Sequence, residues 1–147
     1  MRETIEVLAT LKCGIFAGAA IYINLVEQPA RLACGAKLAI TQWRPSYKRG
    51  TRMQASLAVC GSALAPVAWW LSRDILWLIG AAVFFAVVPF TLIAIFPTNK
   101  QLEDEALDLS SPHAEAMLRR WGWLHGVRCA LSLAAFVIFL FALPRTP

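Results

Sequence analysis

The run ILWLIGAAVFFAVVPFTLIAIF, residues 75–96, decides the fold. It holds 22 residues and no charged side chain, which matches the ~20 apolar residues that an α-helix needs to cross a bilayer. Three more runs of that kind follow from the same reading, at residues 5–26, 53–71 and 123–143. The chain is 59% apolar and 16% charged, with a mean hydropathy of +0.59. A soluble domain does not gather its apolar residues into regularly spaced blocks of spanning length. In hydrocarbon every backbone polar group needs an internal partner, so such blocks become helices. The expectation is an all-α, integral membrane four-helix bundle, a single domain over residues 1–147.

The polar residues set its orientation. The net charge is +5, and the positive residues cluster beside two of the three connections. Arg31, Lys37, Arg44, Lys48, Arg49 and Arg52 flank the first; Lys100, Arg119 and Arg120 belong to the third; Arg2, Arg73 and Arg145 remain for the opposite side. The positive-inside rule places connections one and three in the cytoplasm and both termini outside, in the plasma (inner) membrane. Positive charge so placed points to membrane lipid as a partner and not to nucleic acid. The start MRETIEVLATLK carries two acids and is followed by no cleavage-site pattern, so the first run is expected to stay as a span. Glu3 and Glu6 are expected in solvent at the outer surface. Cys13, Cys34, Cys60 and Cys129 show no paired spacing and read as small packing residues. Trp69, Trp70 and Trp77 at one end, and Trp43, Trp121 and Trp123 at the other, read as interfacial belts, with Trp43 and Trp121 as candidates for a further role.

The short turn Ser72-Arg73-Asp74 makes spans two and three antiparallel neighbours. Gly14/Gly18 and Gly122/Gly126 would let the first and fourth helices approach closely, or serve a homo-oligomer. Pro66 and Pro89 fall inside spans and should bend them. Connection one is long enough for a short interfacial helix, which Arg44-Pro45 should break. In connection three, Ser110-Ser111-Pro112 should precede a helix from His113 into the last span. Pro29 and Pro97 close the two odd spans, each followed by polar residues.

Four polar clusters meet at the cytoplasmic end. Asn24, Glu27 and Arg31 share a helical face by their spacing of three and four. Arg49, Arg52 and Gln54 begin span two, and Thr98, Asn99 and Lys100 end span three. Trp121, His125 and Arg128 share a face at the start of span four. His125 and Arg128 lie about one turn inside the membrane edge, where ionisable groups face the bundle interior and pair with one another. Glu27 is the natural partner for Arg128, and His125 would then be a proton carrier. The competing reading is structural: an ion pair that fixes helix order beside a satisfied histidine. With only His113 and His125 and no Glu-x-x-His spacing, no metal site is expected. No nucleotide loop, nucleophile elbow or haem motif is present, and no ring of charges suggests a channel. Lys12 falls inside the first span with no partner that the sequence names.

At these clusters the chain resembles a known family. Asn24-Leu-Val-Glu-Gln-Pro-Ala-Arg31, Trp43-Arg-Pro-Ser-Tyr47, Pro97-Thr-Asn-Lys100 and Trp121-Gly-Trp-Leu-His-Gly-Val-Arg128 are similar to the anthrone oxygenase-like family of small four-helix membrane proteins, most of them of unknown function. Its characterised members are fungal and oxidise an anthrone to an anthraquinone with molecular oxygen, without a classical cofactor. The resemblance implies a pocket for a hydrophobic small molecule, flat and aromatic or lipid-like, and an oxidoreductase. His125 would remove an acidic carbon-bound proton, with Arg128 and Asn99 stabilising the enolate and Glu27 completing the catalytic group. Trp121 would stack on the substrate, with Asn24, Arg31, Trp43 and Tyr47 as further binding residues. In the fungal enzymes an asparagine stands where this chain has His125. The alternatives are a non-enzymatic membrane protein that binds lipid or a partner complex, and a small transporter built from two chains.

Overall fold

The computed structural model describes residues 1–144; Arg145, counted above with the outer charges, lies outside the described residues. Every regular element described is helical: α1 (Arg2–Tyr22), α2 (Gln28–Ala33), α3 (Ala36–Ser72), α4 (Leu76–Phe90), α5 (Phe96–Glu103) and α6 (Pro112–Ala142). A π turn at Ile23–Glu27 joins α1 to α2, and another at Thr91–Ile95 joins α4 to α5. The result is four long rods, each long and apolar enough to cross a membrane.

Both π turns end two residues before a proline, Pro29 and Pro97. Proline has no N–H with which to close the preceding helical turn. The backbone takes a wider turn there instead: the amide of Gln28 reaches back to Ile23 O, and that of Phe96 to Thr91 O. The extra residue in each turn shifts the register of the side chains that precede it.

Connection one differs from expectation. No separate interfacial helix is broken at Arg44-Pro45; α3 runs unbroken through Pro45 and Pro66 for 37 residues. Packing on both sides of Pro45 holds the helix. Trp43 is buried, stacks on Tyr47 with centroids 4.8 Å apart, and meets Trp121 edge-on at 5.6 Å. Arg44 donates to Leu102 O at 2.9 Å and to Asp104 O at 2.5 Å. These anchors outweigh the one backbone hydrogen bond that the proline removes. At about 1.5 Å per residue α3 is far longer than a ~30 Å hydrocarbon layer, so its first half projects beyond the apolar run. The helix stops at Arg73, which adopts φ 62°, returns its amide to Trp69 O and lays its guanidinium over Trp70 at 4.4 Å. The last rod starts as the sequence indicates, with Ser111 Oγ accepting from the amide of Ala114 at 3.2 Å and Pro112 following it.

α1 lies against α3 and α6, and α4 lies against the same two, closing a square bundle. Glycines set the close approaches. A Cβ on Gly80 would fall 2.4 Å from the Phe139 ring, one on Gly61 2.8 Å from Phe84, and one on Gly14 2.7 Å from Phe136. The first and last rods also meet through Gly122 and Gly126, beside Gln28 and Asn24, whereas Gly18 faces open space.

The core has two halves. One holds Phe16, Phe84, Trp77 and Phe139; the other holds Ile40, Trp43, Ile95, Leu102, Leu118 and Trp121. Trp77 is wholly buried against Phe139 and so is no belt residue, while Trp70 and Trp123 are exposed. Glu6 also departs from expectation. It is 0% exposed, it accepts from Arg2 Nε at 2.8 Å, and its Oε2 has no partner among the described residues. The helical turn that exposes Glu3 carries Glu6 inward, on the face of Ala9 and Cys13. All four cysteines are free thiols; Cys13 is buried and Cys129 partly so, but Cys34 and Cys60 are exposed and fill no core.

Candidate functional site

Beside the core half that holds Trp43 and Trp121 lies a chamber of about 170 Å³. α3 supplies one wall by helical spacing: Trp43, Ser46, Tyr47, Gly50, Thr51 and Gln54. α6 supplies Trp121, His125 and Arg128, and the first rod adds Ile23, Glu27 and Arg31. The polar clusters of three rods therefore converge here, as their common end of the sequence pattern requires.

His125 is 2% exposed. Its ring stacks on Trp121, with centroids 4.8 Å apart, and its Nδ1 lies 3.7 Å from Cys129 Sγ. Trp121 in turn meets Trp43, which stacks on Tyr47, so four rings form a continuous wall. The planes of Trp43 and Trp121 meet at 83°, so the wall turns a corner between its two stacked pairs.

Arg128 is not paired with Glu27. Its Nη2 donates to Gln54 Oε1 at 2.9 Å, and its guanidinium lies 5.3 Å over the Phe16 ring. Glu27 instead accepts from Arg31 Nη2 at 2.6 Å and from Gln42 Nε2 at 3.0 Å. Arg31 Nε also donates to Gln42 Oε1, and Gln42 donates to Ser46 Oγ at 2.9 Å. The physical reason is local. Arg31 is one turn from Glu27 on the same rod and reaches it first, while Gln42 and Ser46 on the unbroken α3 complete the network. Glu27 and Arg31 thus form a charged mouth on one side of the chamber, and Arg128 stands deeper with Gln54.

Two expected site residues stand apart from the chamber lining. Asn99 is wholly buried and donates to Tyr47 Oη at 2.9 Å, which places it behind the ring wall. Asn24 lines a separate outer groove with Gln28, Gly122 and Trp123. The π turn accounts for that: it breaks the three-and-four spacing that would keep Asn24 on the face of Glu27 and Arg31. Gln42 and Ser46 join the site unannounced by the sequence, and Gln54, named there only as part of a polar cluster, proves to be the partner of Arg128.

Buried donors outnumber their partners in this chamber. Trp43 Nε1, Trp121 Nε1, Gln54 Nε2 and Arg128 Nε are all without a hydrogen-bond partner among the described residues. Each unmade bond of this kind costs about 1–3 kcal/mol, so a ligand that brings acceptor oxygens is favoured. Among the described residues no three His, Cys, Asp or Glu side chains converge.

A profile of the anthrone oxygenase family matches residues 43–138, from the start of the ring wall through most of α6. The chain belongs to the anthrone oxygenase family. Family relatives include an anthrone oxygenase of Aspergillus fumigatus, 31% identical over 68% of this chain and 67% of its own length. A noranthrone monooxygenase of Aspergillus flavus is 25% identical over 80% of this chain and 59% of its own length. An anthrone oxygenase of Paecilomyces divaricatus is 24% identical over 90% and 91%. No solved structure matches the chain. The family profile takes in Trp43, Tyr47, Gln54, Asn99, Trp121, His125 and Arg128, whereas the charged mouth of Glu27 and Arg31 lies outside it.

Proposed function

We propose that this protein is a membrane-embedded oxygenase that converts an activated methylene of a flat, membrane-soluble aromatic substrate to a carbonyl. The observation that carries the proposal is the chamber itself, whose lining combines a four-ring wall that includes the buried His125 with the unpartnered donors of Gln54 and Arg128. The family relatives support the reaction class.

An anthrone carries a methylene made acidic by a ring carbonyl. In the proposed reaction His125 takes one of its protons. The electron pair moves into the ring system, and the carbonyl oxygen gains negative charge. Arg128 Nε and Gln54 Nε2 are the donors that this oxygen would meet, and donors held in place before the reaction lower the barrier most. Asn99 acts at one remove, through the hydroxyl of Tyr47 that it holds. Dioxygen then adds at the carbanionic carbon, and the protonated histidine returns its proton to the peroxide. Loss of water leaves the second carbonyl. One methylene and one dioxygen give one carbonyl and one water. Trp43 and Trp121 hold the ring plane, and the mouth formed by Glu27 and Arg31 faces the aqueous side.

The decisive experiment supplies anthrone to purified protein in lipid nanodiscs, and follows both anthraquinone absorbance and oxygen uptake. His125→Ala and Arg128→Ala should each lower turnover by about 10²-fold or more, with helix content unchanged. Wild-type turnover that neither substitution alters would end the proposal and favour a lipid- or partner-binding protein.

A further inference from the structure

A second chamber of about 150 Å³ lies against the first, between α3 and α4. The two share a partition of Thr51, Gln54 and Arg128. The outer part of the second chamber is apolar, with Ala55 and Ala58 on α3 facing Val87, Val88 and Leu92 on the opposite rod. Small residues on one side, opposite a widened backbone on the other, leave the space unfilled. Pro89 lies inside the last turn of α4 just there, and the π turn that begins at Thr91 forms the rim. The surface around the opening is strongly apolar: Leu92 is 61% exposed and Ile93 77%.

The amide and guanidinium groups of this second chamber, Gln54 and Arg128, stand at its inner end, while the hydroxyl residues Thr51 and Thr91 reach its surface. Gln54 is 3% exposed. Its Oε1 is occupied by Arg128 Nη2, but its Nε2 and Arg128 Nε have no partner among the described residues. The site thus has two approaches of opposite character. The side of Glu27 and Arg31 is charged and hydrogen-bonded across its width. The side between α3 and α4 carries no charge before the donors, and the hydroxyl of Thr91 at its rim is spent on Val87 O at 2.7 Å.

Size favours the second approach. A cavity of about 150 Å³ lined by apolar side chains holds one benzene ring. The first chamber, at about 170 Å³, has little more room than that, and three fused rings need the second as well.

We propose that the gap between α3 and α4 is the lateral entrance through which substrate passes from the bilayer, and that the Gln54–Arg128 pair is the partition it crosses. This rests on the membrane placement and aromatic substrate proposed above. A neutral ring system dissolved in lipid would keep its apolar surroundings until its oxygen meets Gln54 Nε2 and Arg128 Nε. It would exchange one internal hydrogen bond for bonds to itself. By the charged mouth it would first have to enter water and then displace an ion pair.

The test separates the entrance from the reaction. Gln54→Cys in nanodiscs is treated with a lipid-soluble N-aryl maleimide or with a sulfonated, water-borne one, and modification at position 54 is followed by peptide mass spectrometry. The lipid-soluble reagent should react faster. Ala55→Trp or Leu92→Trp, each at an exposed rim position, should slow it by about tenfold or more, as an obstructed approach does. Ile93→Trp, beside the opening but outside its lining, should leave the rate unchanged. Equal rates with and without the rim tryptophans, or faster labelling by the sulfonated reagent, would overturn the entrance. Anthrone turnover in the rim variants of the otherwise native chain is the second readout, with kcat/KM expected to fall in parallel. Absent wild-type turnover with the labelling pattern intact would remove the proposed reaction and leave the entrance standing. Normal turnover with no effect of the rim tryptophans would do the reverse.

Discussion

Glu6 shows what one buried charge demands of its neighbours. Its carboxylate is out of solvent and held, among the described residues, by Arg2 at 2.8 Å, whose own side chain is half exposed. Removing one partner of a buried pair leaves an uncompensated charge, and that costs more than the pair itself contributes. Arg2→Ala should therefore destabilise the protein by about 1–3 kcal/mol, read from thermal melting in detergent. Adding Glu6→Gln should recover most of that loss, because the amide carries no charge to leave unpaired. No recovery in the double variant would show that Arg2 acts by packing. The chamber follows the same rule. Glu27 settles on the neighbouring cation, Arg31, and Arg128 is left with a neutral glutamine and an Nε that has no partner among the described residues. A guanidinium so placed retains donors for an incoming oxygen. The reaction expected of His125 and Arg128 depends on that, and the turnover of His125→Ala and Arg128→Ala measures it.

Among the elements, α3 carries most of the site, and its continuity is what the sequence conceals. A proline inside a helix removes one hydrogen bond and crowds the carbonyl four residues earlier, at a cost of about 3 kcal/mol. Arg44-Pro45 consequently reads as a break. Tertiary contacts of Trp43 with Trp121, Arg44 with Leu102 and Tyr47 with Asn99 carry the helix through it. Once the helix is continuous, Trp43, Tyr47, Gly50 and Gln54 fall on one face at spacings of three and four. Gln54 then belongs to the site by periodicity alone. Pro45→Ala should raise stability by about 1 kcal/mol or more while leaving the helix content unchanged; a fall in melting temperature would mean that the proline shapes the ring wall. The π turns do leave a trace in the sequence, since each precedes a proline near the end of an odd span. That trace was legible as two matching prolines, but the one-residue shift that moves Asn24 off the face of Glu27 was not. A π turn is settled by how the rod packs, and local spacing does not encode it.

For the molecule as a whole, glycines decide how closely the rods pack. Gly80→Ala would drive a methyl into the Phe139 ring at 2.4 Å, and Phe139 cannot retreat because Trp77 packs on it at 5.2 Å. A loss of about 1–3 kcal/mol is expected. Gly18→Ala, in open space, should be neutral or slightly stabilising through helix propensity. Comparing the two melting curves tests the square packing directly. The proposed orientation has its own test. A reporter active only outside the cytoplasm, fused at the C-terminus, should be active, and a cytoplasmic one silent. The opposite pattern would invert the bundle and place the charged mouth outside.

The sequence by itself determined four apolar helices, their antiparallel order and the end of the bundle where polar chemistry gathers. Those features are one-dimensional: length, hydropathy and charge count survive without knowledge of any contact. It also carried the motifs by which the family is recognised. Only the tertiary structure decided that Arg128 faces Gln54 and not Glu27, that Asn99 stands behind Tyr47, that Glu6 and Trp77 are interior, and that a second chamber opens between α3 and α4. Each of these depends on the rotation of one rod against another. That rotation is set by glycine contacts, π turns and a tolerated proline, whose effects add up only when all four helices are packed.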